Sequence, residues 1–295
     1  MFRNHPVARR QPIKTLLRFA QAEIINTWLG YPFLVSHEFG VVLIVERGHH
    51  ATRSHYFFGA QDIKDELFAI NFLREGELFI DIGANLGIFS IMVAVTTGAR
   101  VIAIEPSPSS SSIFKRHIAL NELMDRITLI EACAGNANRV AFIKNTVDMD
   151  NFIVLDSADL QSGMAKIPMI QIDDVVDGTI PCVMKMDVEG FEMQALKGAT
   201  KLLGSQNLQA ITVEISDFSN RFGVSPEETQ KFIGTFGFTA VAYDPLTRML
   251  TPLAPRDRSR KTTLYNQKTI YVRNLDEARR RLASAPRRSL HTLSV

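Results

Sequence analysis

From residue 77 onward, short runs of β-branched and aliphatic residues alternate with segments whose apolar positions recur every three to four residues. The first pattern belongs to strands and the second to helices with one buried stripe. Strands are predicted at 78–82, 101–105, 127–133, 182–187, 209–215, 238–243 and 268–273. Their alternation with helices predicts an α/β fold built on a doubly wound, mostly parallel, seven-stranded sheet. The first five strands are mostly apolar, as strands covered on both faces should be. Local signals place two of the helices. Ser225, Pro226 and Glu228 form a capping box with proline at its first position, and Gly237 stands where that helix should end. The serine run from Ser109 to Ser112 is expected to open the helix after the second strand.

Ahead of this domain the pattern changes. Ile13, Leu16, Leu17, Ala20, Ile24 and Trp28 recur at helical spacing, with Lys14 and Arg18 between them, which predicts an amphipathic helix over 13–28. It is expected to pack on the domain, with a homodimer contact or a membrane surface as alternatives. The run 41–51 and its resumption at 55–58 read as the two arms of a hairpin around a glycine turn. His49, His50 and His55 fall there with no carboxylate or thiol at ligand spacing, so they read as a solvated turn. The expected division is an extension over 1–56, the main domain over 57–273 and a basic, mobile tail over 274–295.

Composition narrows the partners. The net charge is +2, so no overall basic field suggests nucleic acid; Arg256, Arg258, Arg260, Lys261 and the tail arginines read as a solvated loop and tail. A small-molecule or sugar acceptor is the expected partner. The two cysteines, Cys133 and Cys182, lie in apolar runs, which suits free thiols in a reducing compartment and makes the cytoplasm the expected location. No run of 18 apolar residues is present, and Gln21, Glu23 and Asn26 interrupt the N-terminal helix, so neither a transmembrane span nor a secretory leader is expected.

The chemistry-bearing residues sit at predicted strand ends. Phe79 to Gly87 run from a strand into a helix through Gly83 and Gly87, where the chain must turn tightly and a ligand can approach the backbone. A dinucleotide fingerprint would need glycine where Asn85 and Ile88 stand, so nicotinamide and flavin are set aside. Glu105, ending the next strand about twenty residues on, can accept from both hydroxyls of a ribose. Lys185, Asp187, Glu189 and Glu192 crowd the carboxyl end of the fourth strand, where an acceptor should lie; for Glu192 the helix dipole is an equally good account.

Taken together, DIGANLG, IEPSP, IQIDDVV, KMDVEGFEMQALKGA and TVEI resemble the FkbM-type methyltransferases over roughly 57–273. These depend on S-adenosylmethionine (SAM) and often O-methylate natural products or glycans. The resemblance implies a Rossmann-like class I methyltransferase fold, with Asp81, Gly83, Asn85 and Gly87 around the methionine part of SAM and Glu105 on its ribose. It puts residues 132–135 near the adenine, Asn121 at a family-like position that a helix cap explains equally well, and Asp173 and Glu214 at further acidic positions of unassigned role. Methyl transfer needs an aligned acceptor and a base for its proton, for which Asp187 or Glu189 is the expected choice. A divalent cation on Asp187, Glu189 and Glu214 is the rival route, and no bound metal is expected. A nucleic-acid methyltransferase and a catalytically silent SAM-binding module are the alternative functions.

Overall fold

The computed structural model describes residues 12–37, 39–59, 63–144, 153–155, 164–176, 178–253, 267–290 and 293–294. At the N-terminus, α1 (Pro12–Ala22) loosens into a π-helical turn over Glu23–Trp28. The helix forms where its periodicity predicts, but its orientation is the reverse of the expected packing. Thr15, Ala22 and Asn26 are buried, while Leu17 is 65% and Trp28 83% exposed. Phe19 and Ala22 pack on Phe57 and Phe58, and polar bonds fix the rest. Asn26 Nδ2 donates to the carbonyls of Tyr31 (2.7 Å) and Val45 (3.1 Å), Tyr56 donates to Gln21 Oε1 at 2.7 Å, and Glu23 pairs with Arg53. Periodicity shows that a helix has an apolar face; it does not show which face meets the protein.

The hairpin exists with different arms. β1 (Phe33–Ser36) pairs antiparallel with β2 (Val42–Val45), and the segment read as the second arm is instead α2 (His50–Phe58), ending at left-handed Gly59. The boundary drawn between residues 56 and 57 therefore falls inside a helix. The histidines there are not a solvated turn either. His49 and His55 are buried, and His55 bridges the Ala51 carbonyl and Glu66 at 2.9 Å each; only His50 is exposed.

After α3 (Ile63–Phe72), strand and helix alternate: β3 (Leu78–Ile82), α4 (Ile88–Thr97), β4 (Arg100–Ile104), α5 (Pro108–Leu120) and β5 (Ile127–Ile130). The predicted third strand is shorter than its apolar run. The chain bends after Ile130, and β6 (Cys133–Ala134) joins a second sheet with β7 (Arg139–Lys144), β8 (Ile153–Val154) and β9 (Met164–Ile170), in the order β6-β9-β7-β8. The main sheet resumes with β10 (Val183–Met186), and α6 (Glu192–Lys197) and α7 (Thr200–Gly204) return the chain to β11 (Ala210–Ile215). Then come α8 (Pro226–Thr235), β12 (Thr239–Asp244), β13 (Met249–Pro252), β14 (Gln267–Val272) and α9 (Leu275–Ala283). The capping box of α8 is formed on both sides, and Ser107 caps α5.

Among the described residues the main sheet has eight strands in the order β13-β12-β14-β11-β10-β3-β4-β5, one more than expected. The extra strand, β13, is a short antiparallel partner of β12, and β14 runs antiparallel between β11 and β12. The remaining pairs, from β11 to β5, are parallel. Strand order reverses beside β3, between β4 and β10, and such a switch point opens a crevice at the carboxyl ends of the strands. Alternate residues feed two cores. Phe79, Val183 and Ala210 join Phe68, Phe72 and Phe114 on one side, while Ile80, Ile82, Met184 and Ile211 join Leu196, Leu202 and Ile233 on the other. The segment set apart as a basic tail is partly structural. Asn274 caps α9, Ala278 and Leu282 of α9 are buried, and Arg281 bonds Glu77 and the Phe72 carbonyl.

The extension is tied to the sheet by two side chains of α5. Asn121 accepts from the Val42 amide (2.7 Å) and donates to the Val42 carbonyl (2.8 Å), so its cap position serves as a bridge. His117 Nε2 accepts from the Ile44 amide at 3.0 Å, which leaves Nδ1 to carry the proton it donates to the Leu86 carbonyl at 2.8 Å. Burial holds this imidazole neutral, with its pKa lowered to about 4. Replacing His117 with Leu strands two buried backbone groups and should cost roughly 2–4 kcal/mol. Denaturant unfolding checks this; an unchanged midpoint would contradict it.

Candidate functional site

The loop leaving β3 turns on two left-handed glycines. A Cβ at Gly83 would lie 1.8 Å from the Asp187 carbonyl, so the loop and the end of β10 can meet only without a side chain there. A Cβ at Gly87 would strike the Phe114 ring at 1.9 Å, so this glycine lets α4 pack on α5 and faces away from the crevice. Between them, Asn85 is itself left-handed at φ 52°.

Beneath the loop lies Asp81, 0% exposed. It pairs with Lys185 Nζ at 3.0 Å and accepts from Ser90 Oγ at 2.7 Å, while Lys185 also donates to the Gly83 carbonyl at 2.7 Å. Asp81 and Lys185 stand opposite each other in the β3–β10 register. Asp81 and Gly87 therefore support the loop from below. Gly83, Asn85, Glu105, Asp187 and Glu189 line one cleft of about 680 Å³, counting the solvent at its mouth.

Glu105 follows β4 and is 5% exposed. Its two oxygens accept from the Asn85 amide (2.7 Å) and the Ser107 amide (2.8 Å), and burial raises its pKa to about 7. Ala132, Cys133 and Ala134 continue the wall, which the second sheet completes with Ile143 and Ile153. Burial pushes the Cys133 thiol up to about 12, so it is no nucleophile. Glu131 points away into an ion pair with Lys115.

Across the cleft, Asp187 meets Lys268 Nζ at 3.1 Å and Lys185 at 3.9 Å. Despite desolvation by burial, these lysines and a hydrogen bond with Glu214 hold its carboxyl well below the usual range. Glu214 moves the other way, raised to about 9 by burial and by the charge of Asp187, so it carries the proton they share. Lys268 was not found by sequence reasoning. It stands directly opposite Glu214 across the β11–β14 pairing, and that register is invisible until the last strand is known to insert there. Glu189 is exposed at the rim with φ 53°, an uncommon conformation for a side chain of its size.

Two other acids are structural. Glu192 accepts from the amides of Val188 (3.3 Å) and Gly190 (3.1 Å), and Asp173 from those of Lys201 and Leu202 (2.9 Å each) at the start of α7. Among the described residues, no three His, Cys, Asp or Glu side chains are grouped as a metal would require, and no helix is long and apolar enough to cross a membrane.

A doubly wound sheet with an antiparallel strand inserted between β11 and β12, and a glycine-turned loop at the switch point, is the fold of a Rossmann-like methyltransferase. The methyltransferase FkbM domain matches residues 81–240, more than half of the chain, and the chain belongs to this family of SAM-dependent enzymes. It is 29% identical over 185 residues to the hexuronic acid methyltransferase AglP of Haloferax volcanii, covering 59% of this chain and 70% of that one. It is 25% identical over 167 residues to the methyltransferase sdnD of Sordaria araneosa, covering 45% of this chain and 64% of that one. Among solved structures, precorrin-6y C5,15-methyltransferase of Geobacter metallireducens superposes with a TM-score of 0.41 at 12% identity, over 72% of this chain and 88% of that one.

The ion pair under the loop gives a direct test. Asp81→Asn leaves Lys185 charged in a buried site, which should lower stability by roughly 3–5 kcal/mol. Adding Lys185→Met should restore part of the loss, because the unpaired charge is then gone. Urea unfolding of both variants reads this, and a single variant as stable as the parent would refute it.

Proposed function

We propose that this enzyme transfers a methyl group from SAM to a hydroxyl of a sugar or another small natural product. Glu105 carries the SAM assignment. Its carboxyl is buried and positioned by two loop amides, and each oxygen keeps a second lone pair for a ribose hydroxyl. Gly83 and Asn85 bring bare backbone to the methionine end, supported from below by Asp81 and Gly87, and the apolar wall of Ala132, Ala134, Ile143 and Ile153 suits an adenine. When bound, SAM supplies a methyl on positively charged sulfur, so this chain's residues need only align the acceptor and take its proton. The hexuronic acid specificity of AglP supports a sugar acceptor.

Of the two candidate bases, Glu189 is the better one. Asp187 is held anionic by two lysines and a protonated neighbour, which makes it a weak proton acceptor and a positioning group for Lys268. Glu189 reaches the same cleft from the solvent side, where it can collect a proton and release it. Glu189→Gln should lower turnover by roughly 10²–10⁴ with SAM affinity nearly unchanged. Glu214→Gln, which mimics the protonated acid, should stay within a few-fold of the parent. The assay is mass-spectrometric gain of one methyl group on a panel of uronic acids, neutral sugars and hydroxylated natural products, with oligonucleotides in parallel. Methylation of the oligonucleotides alone would overturn the reading of the acceptor.

Glu105 also makes binding depend on pH. Without SAM its pKa is about 7, so it is protonated below that pH, and donation by ribose hydroxyls favours the ionised form. Binding below pH 7 must then release a proton. Affinity should be flat above pH 7 and fall by up to about tenfold per pH unit below it. Calorimetry in buffers of different ionisation heat reads the released proton, and Glu105→Gln should abolish that dependence. A parent affinity that does not change between pH 6 and 8 would exclude Glu105 from the ribose.

A further inference from the structure

The N-terminal helix turns its apolar face outward. Ile13, Leu16, Leu17, Ile24 and Trp28 are all more than half exposed, as are Tyr31 and Leu34 next to them, while the side that meets the protein carries Thr15, Phe19, Ala22 and Asn26. A soluble surface rarely leaves so many large side chains on one stripe without a partner to cover them.

The charge of the N-terminal sequence selects that partner. In the sequence Arg3, Arg9, Arg10, Lys14 and Arg18 all precede the first acid, Glu23, and Glu23 is already paired with Arg53. A second copy seated on this face would bring the like charges of the N-terminal sequence together. An anionic lipid surface complements both features, with the apolar stripe entering the acyl boundary and the cations meeting the headgroups. Trp28 and Tyr31, at the end of the helix, are the residue types that sit at that boundary.

We propose that this face docks the enzyme in the plane of an anionic lipid bilayer. Trp28 is the only tryptophan in the chain, so its emission reports on that face alone. The full-length protein is mixed with vesicles of phosphatidylcholine alone or with about a third of phosphatidylglycerol. Flotation with the mixed vesicles, a blue shift of Trp28 emission and release by high salt are the expected results. Pure phosphatidylcholine should bind at least several-fold less. The double variant Leu17→Glu, Ile24→Glu should bind roughly tenfold less, while keeping the thermal stabilisation by SAM that shows it is folded. Lys14→Glu with Arg18→Glu should weaken binding to the anionic vesicles specifically. Absence of flotation and of a blue shift would overturn the proposal. So would binding undiminished in the Leu17/Ile24 variant, or a dimer in sedimentation whose Trp28 emission is already blue without lipid.

Discussion

The cleft depends on one buried ion pair. Asp81 and Lys185 face each other across the two strands that flank the switch point, and neither charge is exposed to water. Taking two charges out of solvent is costly, and further hydrogen bonds offset part of that cost. Here Ser90 fills one on Asp81, and the Gly83 carbonyl takes a donor of Lys185. The pair therefore does more than neutralise itself. It fixes the height of the glycine loop above the sheet, and the Asn85 amide that orients Glu105 belongs to that loop.

The same lysine governs the acids around it. Among the described residues, Asp81, Asp187 and Glu214 share one end of the sheet with Lys185 and Lys268. Close like charges cannot all ionise, so one proton is retained, and it settles where burial and the charge of Asp187 weaken the acid most. That place is Glu214. Asp187 takes the contact with Lys268 and becomes a firmly ionised group of low basicity, while Glu189 is left at the solvent edge. The proton distribution between Asp187 and Glu214 follows from burial and from the contact of Asp187 with Lys268.

Much of this was legible in the residues because it is local. The loop after β3, the acid after β4, the cap at Ser225 and the alternation of strand and helix each involve neighbours in the chain, and their signals survive without knowledge of the fold. What depends on pairing between distant segments was not legible. The run at 41–45 could pair forward or backward, and it pairs backward with Phe33–Ser36. The apolar stretch after Ile127 could not show that the chain leaves one sheet for another at residue 131. The firm ionisation of Asp187 needed Lys268, which lies 81 residues from Asp187 and reaches it only through the register of β14 with β11.

Among the described residues, His117 joins the N-terminal extension to the glycine loop. His117 accepts from β2 and donates to the carbonyl of Leu86, inside the loop that holds Asn85. Because it is neutral and buried, it can satisfy both groups only in one tautomer and one orientation, so displacement of the hairpin would strand the Ile44 amide and release the ring that donates to the Leu86 carbonyl. The hairpin also receives the exposed helix through Asn26 and Val45. Any force on that helix thus has a continuous hydrogen-bonded route to the cofactor loop, through Val45, the β2 backbone and His117, with no step that relies on side-chain packing alone.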